Sequence, residues 1–457
     1  MPLAVPLISL ISFLVFSLVK YDIFDHFGGI SYGNVLLYHA FRLIMLGIFA
    51  TSFFYRSEAF AAFLSAQPLK TASCIDPYNA VRRQFDPLLG LRAAAFLMVF
   101  LGHWFMVVFP PVDLLQPDGN LMVRSLVSAS PWGGVWVFFT LSGYLMGKGF
   151  VTERYSFTQA SIVVFYRNRA LRVIPLYLLS IFLIVVLQKP ELLDISTAPQ
   201  LDLFLSQLFF DLQGGGAIGA LWSVSSEVQF YIAIPFLHAI CALYMKTLMR
   251  ALVITTVVIV LIAAVKVYAM TGWPMYWLRH VFYPMLANMD CFFAGYGAVV
   301  VVNFLKMRAF YLRSGMLAAV VVGVVYYVIL SYASYICMAL EHAPYRVVYL
   351  GLFPGITAMV TAIVIVLFEV SIRAFTNRKG ITKKFWLLQS GLGMLTYSLY
   401  VWHEPVILSL RKVTKTSMNF VESIAYFPIG FLLCVSISYI FYKYVETRFD
   451  SMRTYGK

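Results

Sequence analysis

Charged residues and paired cysteines are both scarce in this chain. Only 12% of its 457 residues are Lys, Arg, Asp or Glu, and 61% are hydrophobic. Because an ordinary soluble domain is about 25% charged, this composition excludes a single soluble core of this size. The five cysteines are scattered and form no Cys-x-x-Cys pair, so neither a disulfide framework nor a metal site is indicated.

Long apolar runs recur along the whole sequence. Each has about the 20 residues needed to cross a hydrocarbon layer of roughly 30 Å. The first run, Leu3 to Val19, has no basic segment before it and no small-residue cleavage site after it, so we interpret it as a retained helix rather than a signal peptide. The pattern predicts an all-α, polytopic transmembrane helical bundle of about 12 helices. The predicted helices lie near residues 3–20, 35–55, 89–110, 131–150, 172–188, 221–245, 251–271, 282–304, 315–338, 346–370, 391–410 and 423–444.

The chain divides according to where its candidate chemistry lies. Residues 1–85 contain two predicted helices and a loop without candidate site residues. Residues 86–450 form the predicted membrane core of about ten helices, and residues 451–457 a short tail. No polar stretch is long enough for a separate soluble domain.

The net charge of +14 raises the question of what the basic residues contact. If the N-terminus is cytoplasmic, most of the 34 Lys and Arg fall in cytoplasmic segments, as the positive-inside rule requires. Both termini are therefore predicted to be cytoplasmic, with the protein in the plasma (inner) membrane and lipid around it. No basic patch is left over for nucleic acid.

Ionisable residues inside helices are functional candidates, since each costs about 2.5–3.5 kcal/mol or more at the centre of a bilayer. Arg92 and His103 are eleven residues apart on one predicted helix, which places them on one face and roughly 16 Å apart along the axis. The alternative is an anchoring arginine and a hydrogen-bonded core histidine. Glu227 is predicted at the depth of His103, where a carboxylate would favour the protonated imidazole needed in general-base catalysis. A purely structural pair, or a protonated Glu227 with a hydroxyl partner, is the alternative.

Further candidates lie on three other helices. Arg169 and Arg172 are three residues apart, a spacing that suits a fork for phosphate oxygens, although snorkelling to the interface explains most such arginines. Ser142 and Gly143 would let a slender ligand approach closely, or simply pack helices together. His403 lies beside Glu404 and a proline on a predicted kinked helix, where it either lines the same cavity or only packs.

These segments together resemble the acyltransferase-3 family of integral membrane O-acyltransferases, over about residues 86–450. The closing segment Tyr444 to Phe449 is similar to the family's ending. Some members carry a soluble SGNH-type domain after the last helix, and none is expected here. The resemblance rests on five motifs in family order: Gly-Leu-Arg with a histidine eleven residues after the arginine (Arg92, His103), FFTLSGY (Phe138 to Tyr144), RALR (Arg169 to Arg172), WSVSSEVQFY (Trp222 to Tyr231) and YSLYVWHEP (Tyr397 to Pro405).

The resemblance implies transfer of an acyl group, usually acetyl from acetyl-CoA, to a hydroxyl of a carbohydrate, glycolipid or similar acceptor. The family's common Glu-Glu-Gln reads Glu227-Val228-Gln229 here, so the carboxylate role rests on Glu227 alone. We therefore predict catalytic roles for His103, Glu227 and Arg92, donor binding by Arg169, Arg172, Ser142 and Gly143, and cavity lining by Trp222, Ser223, Tyr397 and His403.

Two other classes of function use the same residues. A proton-coupled transporter or flippase would employ the intramembrane Arg, His and Glu as a relay, but the sequence shows no repeat symmetry between its halves. A structural or receptor-like membrane protein leaves the cost of several buried charges unexplained.

Overall fold

The described part of the chain is all-α. The structure, a computed structural model, describes residues 86–108, 125–126, 130–188, 219–272, 281–312, 314–340, 343–371, 381–414 and 420–453. These residues contain no β-strand, which confirms the predicted helical class. The predicted helices near 3–20 and 35–55 lie outside the described residues, so the total of about 12 helices and the location of the termini stay predictions.

Eleven helices of at least 14 residues are present in the described ranges, followed by a short one. They are α1 (Pro87–Gly102), α2 (Pro131–Val151), α3 (Gln159–Gln188), α4 (Trp222–Tyr244), α5 (Leu248–Gly272), α6 (Met289–Met307), α7 (Gly315–Leu340), α8 (Ala343–Glu369), α9 (Ile381–Met394), α10 (Thr396–Val413), α11 (Phe420–Phe441) and α12 (Thr447–Ser451). Two π-helical segments, His103–Val108 and Tyr442–Glu446, extend α1 and join α11 to α12.

Each predicted core helix overlaps a helix of the structure, but α3 begins much earlier than predicted and α9 was not predicted. Helix α3 begins at Gln159 rather than near residue 172, because Ile162 and Phe165 bury apolar side chains in this first part and Thr158 accepts a hydrogen bond from the Ser161 amide at its start. Helix α9 was not predicted, since it is short and begins among the basic residues of a predicted loop.

Local sequence signals set the starts of α1 and α2. Asp86 accepts a hydrogen bond from the Leu88 amide, and Pro87 occupies the first helical position. Ser130 does the same for the Gly133 amide, again just before a proline. A polar cap followed by proline is a favoured helix start, so the two helices that position much of the cavity begin at well-defined points.

Eight helices of the described residues are long and apolar enough to cross a membrane. Helices α2 and α10 are not among them, although both were predicted as spans. Most residues of α2 are buried, including Thr140 and Ser142, and α10 packs against α1, α3 and α11. Since other helices cover them, α2 and α10 can carry polar residues into the centre of the bundle.

Ionic contacts join helix ends outside the cavity described below. Lys266 of α5 and Asp290 of α6 form a fully buried pair, with 2.7 Å between Nζ and Oδ2. Glu369 at the end of α8 binds both Lys148 and Lys306, at 2.7 and 2.8 Å. Buried charges are costly unless paired, so these contacts account for several of the ionisable residues that the cavity does not use.

Candidate active site

Five helices, α1, α2, α3, α4 and α10, enclose a cavity of about 790 Å³, open space at its mouth included. Much of its wall is apolar, with Val135, Phe138 and Phe139 of α2 among the lining residues. Seven of the predicted site residues line it: Arg92, Ser142, Arg169, Arg172, Ser223, Glu227 and Tyr397.

The cavity wall carries an excess of positive charge. Arg92, Arg169 and Arg172 line it together with a single carboxylate among the lining residues, that of Glu227. Arg92 lies close enough to Arg172 and Glu227 for both charges to act on it electrostatically. Three guanidinium groups lining one cavity favour an anionic ligand, and guanidinium matches the geometry of phosphate oxygens.

Glu227 is held by two hydroxyl groups. Ser142 of α2 and Tyr231, one turn further along α4, both donate hydrogen bonds to its Oε1, each at 2.5 Å. A carboxylate that accepts two hydroxyl donors is a well-satisfied acceptor. Between Glu227 and His103, both of which are described, there is no hydrogen bond or ion pair, so the predicted carboxylate–imidazole pair is wrong. Glu227 accepts hydrogen bonds from the Ser142 and Tyr231 hydroxyls instead.

His103 instead lies against a second histidine. The ring centroids of His103 and His403 are 4.7 Å apart, with the planes at 79°. The Nδ1 of His103 is 2.9 Å from the Val99 carbonyl oxygen, and the Nδ1 of His403 is 2.6 Å from the Tyr400 carbonyl oxygen. Carbonyl oxygens only accept hydrogen bonds, so both neutral rings carry their proton on Nδ1 and leave Nε2 as an acceptor.

The two histidines lie one layer behind the cavity wall, and His403 is therefore not the lining residue we predicted. Tyr400, one turn before His403 on α10, lines the cavity, and its ring centroid is 5.4 Å from that of His403. The Tyr400 hydroxyl lies 2.6 Å from the Ser223 hydroxyl and donates to the Ala220 carbonyl oxygen at 2.9 Å. Tyr400 thus contacts both the arginine-lined cavity and His403.

The two arginines of α3 both line the cavity, but they have different surroundings. The Arg169 guanidinium lies 5.9 Å from the ring centroids of Phe165 and Tyr231, and its Nε has no hydrogen-bond partner among the described residues. Arg172 donates to Glu446 with 2.5 Å between Nη1 and Oε2, and lies over the Tyr397 ring at 5.6 Å. The arginines of the predicted fork for phosphate oxygens therefore differ: Arg169 has no carboxylate partner among the described residues, and Arg172 is ion-paired.

Two predicted site residues pack helices instead of lining the cavity. The Trp222 ring contacts Phe139 and Phe282, with centroids 6.0 and 4.7 Å apart. Gly143 lies against α6, where an added Cβ would come within 2.0 Å of the Phe292 carbonyl oxygen. Small residues allow helix backbones this close, so Gly143 fits the alternative of simple packing.

Sequence reasoning missed three residues of the site. Tyr231 and Tyr400 fell within the quoted motifs, but a tyrosine in an apolar helix gives no signal of which side chain it will meet. Glu446 was quoted within the closing segment without a role, because its partner Arg172 is far away in the sequence.

A polytopic helical bundle with eight long apolar helices in its described part defines a multi-pass integral membrane protein. The chain matches the family described as acyltransferase domain, acyltransferase-3, over residues 87–443. It belongs to this family of membrane acyltransferases, as the resemblance predicted. No curated protein and no solved structure matches the chain. The transporter alternative gains no support from these comparisons.

Proposed function

We propose that the protein transfers an acyl group, acetyl in particular, from acyl-CoA to a hydroxyl of a carbohydrate, glycolipid or similar acceptor. The observation that carries this proposal is the placement of Arg92, Arg169 and Arg172 on one cavity wall, with the His103–His403 pair behind the wall formed by Tyr400. Arginines suit the phosphates of coenzyme A, and imidazole is the side chain most often used as a general base.

The length of the cavity suits a thin, extended donor. Its lining residues on α2 run from Val135 to Met146, a rise of roughly 16 Å along a helix. The same rise separates Arg92 from His103 on α1. A pantetheine arm is long enough to cover this distance, so a coenzyme whose phosphates contact the arginines would bring its thioester toward Tyr400 and the histidines.

In the proposed mechanism His103 is the general base. Its Nε2 takes the proton of the acceptor hydroxyl, and the hydroxyl oxygen attacks the thioester carbonyl carbon. The carbon–sulfur bond then breaks, and the proton passes to the coenzyme thiolate. Tyr400 and Ser223, joined by a hydrogen bond, stand where the thioester would arrive.

Glu227 has a different role in this scheme from the one first predicted. Its charge acts on Arg92, and its oxygen is fixed by Ser142 and Tyr231. We propose that Glu227 orients Arg92 and partly neutralises the three arginines. Its negative charge lowers the electrostatic cost of keeping three cations in the cavity before the donor binds.

The predicted topology gives the reaction a direction across the plasma (inner) membrane. Acyl-CoA enters from the cytoplasm, where the start of α1 is predicted to lie, and the acceptor reaches His103 from the extracytoplasmic side. No metal is part of the mechanism, and acetyl-CoA serves as a substrate rather than a bound cofactor.

Labelled acetyl-CoA tests this function directly. Membranes from cells that express the full chain are incubated with acetyl-CoA labelled in the acetyl group, and lipid, lipid-linked sugar and polysaccharide fractions are separated. We expect label in one fraction that mild base releases as acetate, and none with membranes that carry His103→Ala. Absence of label from every fraction with the unaltered protein contradicts the proposal, and flux of a substrate across the membrane in its place indicates a transporter.

A further inference from the structure

Helix α10 holds the start of α4 through the backbone of one residue, Ala220. The Glu404 carboxylate of α10 accepts a hydrogen bond from the Ala220 amide, with 2.6 Å between N and Oε2. One turn earlier on α10, the Tyr400 hydroxyl donates to the Ala220 carbonyl oxygen at 2.9 Å. Residues four apart lie on one face of a helix, so two neighbouring side chains of α10 bind both polar backbone groups of Ala220.

The start of α4 depends on this contact from another helix. Ala220 is buried and belongs to the 3₁₀ turn Gly219–Leu221, which leads directly into α4. Leu221, at the N-cap of α4, provides no side-chain hydrogen bond. Amide groups at the start of a helix have no acceptor within it, and Glu404 supplies one. Gly219 allows the close approach, because an added Cβ there would lie 2.8 Å from Glu404 Oε1.

Ala220 is also the anchor of a hydroxyl pair in the cavity wall. Ser223 and Tyr400 both line the cavity and are buried, with 2.6 Å between their hydroxyl oxygens. Tyr400 has one hydroxyl proton, which it donates to Ala220, so Ser223 donates to Tyr400. The position of this pair therefore depends on the Ala220 backbone, which Glu404 holds from its amide side.

We propose that Glu404 is a positioning residue for acyl transfer, which acts through Ala220 by fixing the Ser223–Tyr400 pair where the thioester arrives. The inference rests on the proposed function. Glu404 takes no proton in this role. A displacement of about 1 Å in a group that positions a substrate can lower a rate about 100-fold. Loss of the bond from Glu404 to Ala220 should therefore slow the chemical step, while the donor phosphates still meet the arginines.

Two substitutions of similar length separate this role from simple packing. Glu404→Gln keeps an oxygen that can accept from the Ala220 amide, whereas Glu404→Met offers only a weak thioether acceptor. At saturating labelled acetyl-CoA, we expect single-turnover transfer to fall about 100-fold in Glu404→Met and less than about tenfold in Glu404→Gln. The dissociation constant for acyl-CoA should be the same in both variants as in the unaltered protein.

Glu422 supplies the matched control. It lies in the first turn of α11 and is not among the described residues that line the cavity. The same two substitutions at Glu422 should leave the transfer rate unchanged. A slow reaction in the Glu422→Met variant as well would show that the rate responds to any loss of a carboxylate at a helix start, and would overturn the specific role of Glu404.

Equal rates for Glu404→Gln and Glu404→Met overturn the proposal. Two fast variants would mean that the reaction does not need the bond to Ala220, and two slow variants that it needs the charge instead. A lower melting temperature with a normal rate in folded Glu404→Met would make the contact purely structural, which also contradicts the proposal.

A double variant tests the route through the hydroxyl pair. Since Glu404 acts through Ala220 on Tyr400, the loss in Glu404→Met combined with Tyr400→Phe should be smaller than the product of the two single losses. Fully multiplicative losses contradict this route. Absence of transfer by the unaltered protein refutes the proposed function and with it this inference, whereas transfer at equal rates by the two Glu404 variants refutes this inference alone.

Discussion

Arg172 in the cavity wall is ion-paired with Glu446, which lies near the C-terminal end of the chain. The Arg172 Nη1 and Glu446 Oε2 are 2.5 Å apart, and their side chains are 18% and 2% exposed. Glu446 also accepts a hydrogen bond from Ser398 of α10, and it ends a π-helical segment, a feature frequent at functional sites. The segment after α11 is therefore part of the cavity's support.

This pairing predicts that Glu446→Gln weakens donor binding. The amide cannot neutralise Arg172, so the guanidinium loses its fixed orientation, and we expect a loss of about 1.5–3 kcal/mol in acyl-CoA affinity, the value of a hydrogen bond to a charged group. Asp450→Asn is the control, because Asp450 lies 3.7 Å from the same guanidinium and is more exposed. Equal binding by both variants in a titration with acyl-CoA contradicts the assignment.

Arg169 is expected to contact the donor directly, because it has no carboxylate partner in the part of the chain that the structure describes. Arg169→Gln should weaken acyl-CoA binding by about 1.5–3 kcal/mol and leave acceptor affinity unchanged. Arg167→Gln, an exposed arginine two residues earlier on α3, provides the control and should bind acyl-CoA normally. If both variants bind alike, the arginines of α3 serve topology rather than the donor.

The contact between α2 and α6 predicts a loss of stability without a loss of chemistry. Gly143→Ala places a Cβ against the Phe292 backbone, which cannot move as a flexible side chain would, so we expect about 1–3 kcal/mol of destabilisation. At Gly323 of α7 an added Cβ meets nothing within 4 Å, and Gly323→Ala should be neutral or slightly stabilising. Thermal unfolding in detergent distinguishes them. A normal melting temperature for Gly143→Ala together with impaired donor binding would support the original prediction that Gly143 binds the donor.

Sequence reasoning located the helices and most of the cavity because apolar runs and intramembrane charges are strong, local signals. Arg92, Arg169, Arg172 and Glu227 were all placed on helices that meet at one cavity.

The pairing of those residues could not be predicted in the same way. Depth along a helix was counted from assumed boundaries, and tilt and close packing decide which side chains meet. Glu227 is hydrogen-bonded to Ser142, 85 residues away in the sequence, rather than to His103. Arg172 is paired with Glu446. His103 and His403 were both candidates, but only the fold shows that their rings are adjacent.

Glu227→Gln distinguishes the corrected role of this residue from the first. The amide oxygen can still accept from Ser142 and Tyr231, and no bond to His103 is lost. We expect transfer within about tenfold of the unaltered rate, whereas loss of a partner of the general base costs about 10²–10⁴-fold. Acyl-CoA should bind more weakly, because the carboxylate proposed to orient Arg92 is replaced by a neutral amide. A loss of transfer above 100-fold, with donor binding intact, would contradict this role and support the first hypothesis, in which Glu227 assists His103 in catalysis.

The role of His103 as general base is the central claim. Single-turnover transfer from labelled acetyl-CoA, measured for the unaltered protein and for His103→Ala beside their acyl-CoA dissociation constants, tests it most directly. We predict a rate about 10²–10⁴-fold lower in the variant with an unchanged dissociation constant, because Arg92, which lines the cavity, lies roughly 16 Å away along α1. Transfer by folded His103→Ala at nearly the unaltered rate would contradict the account.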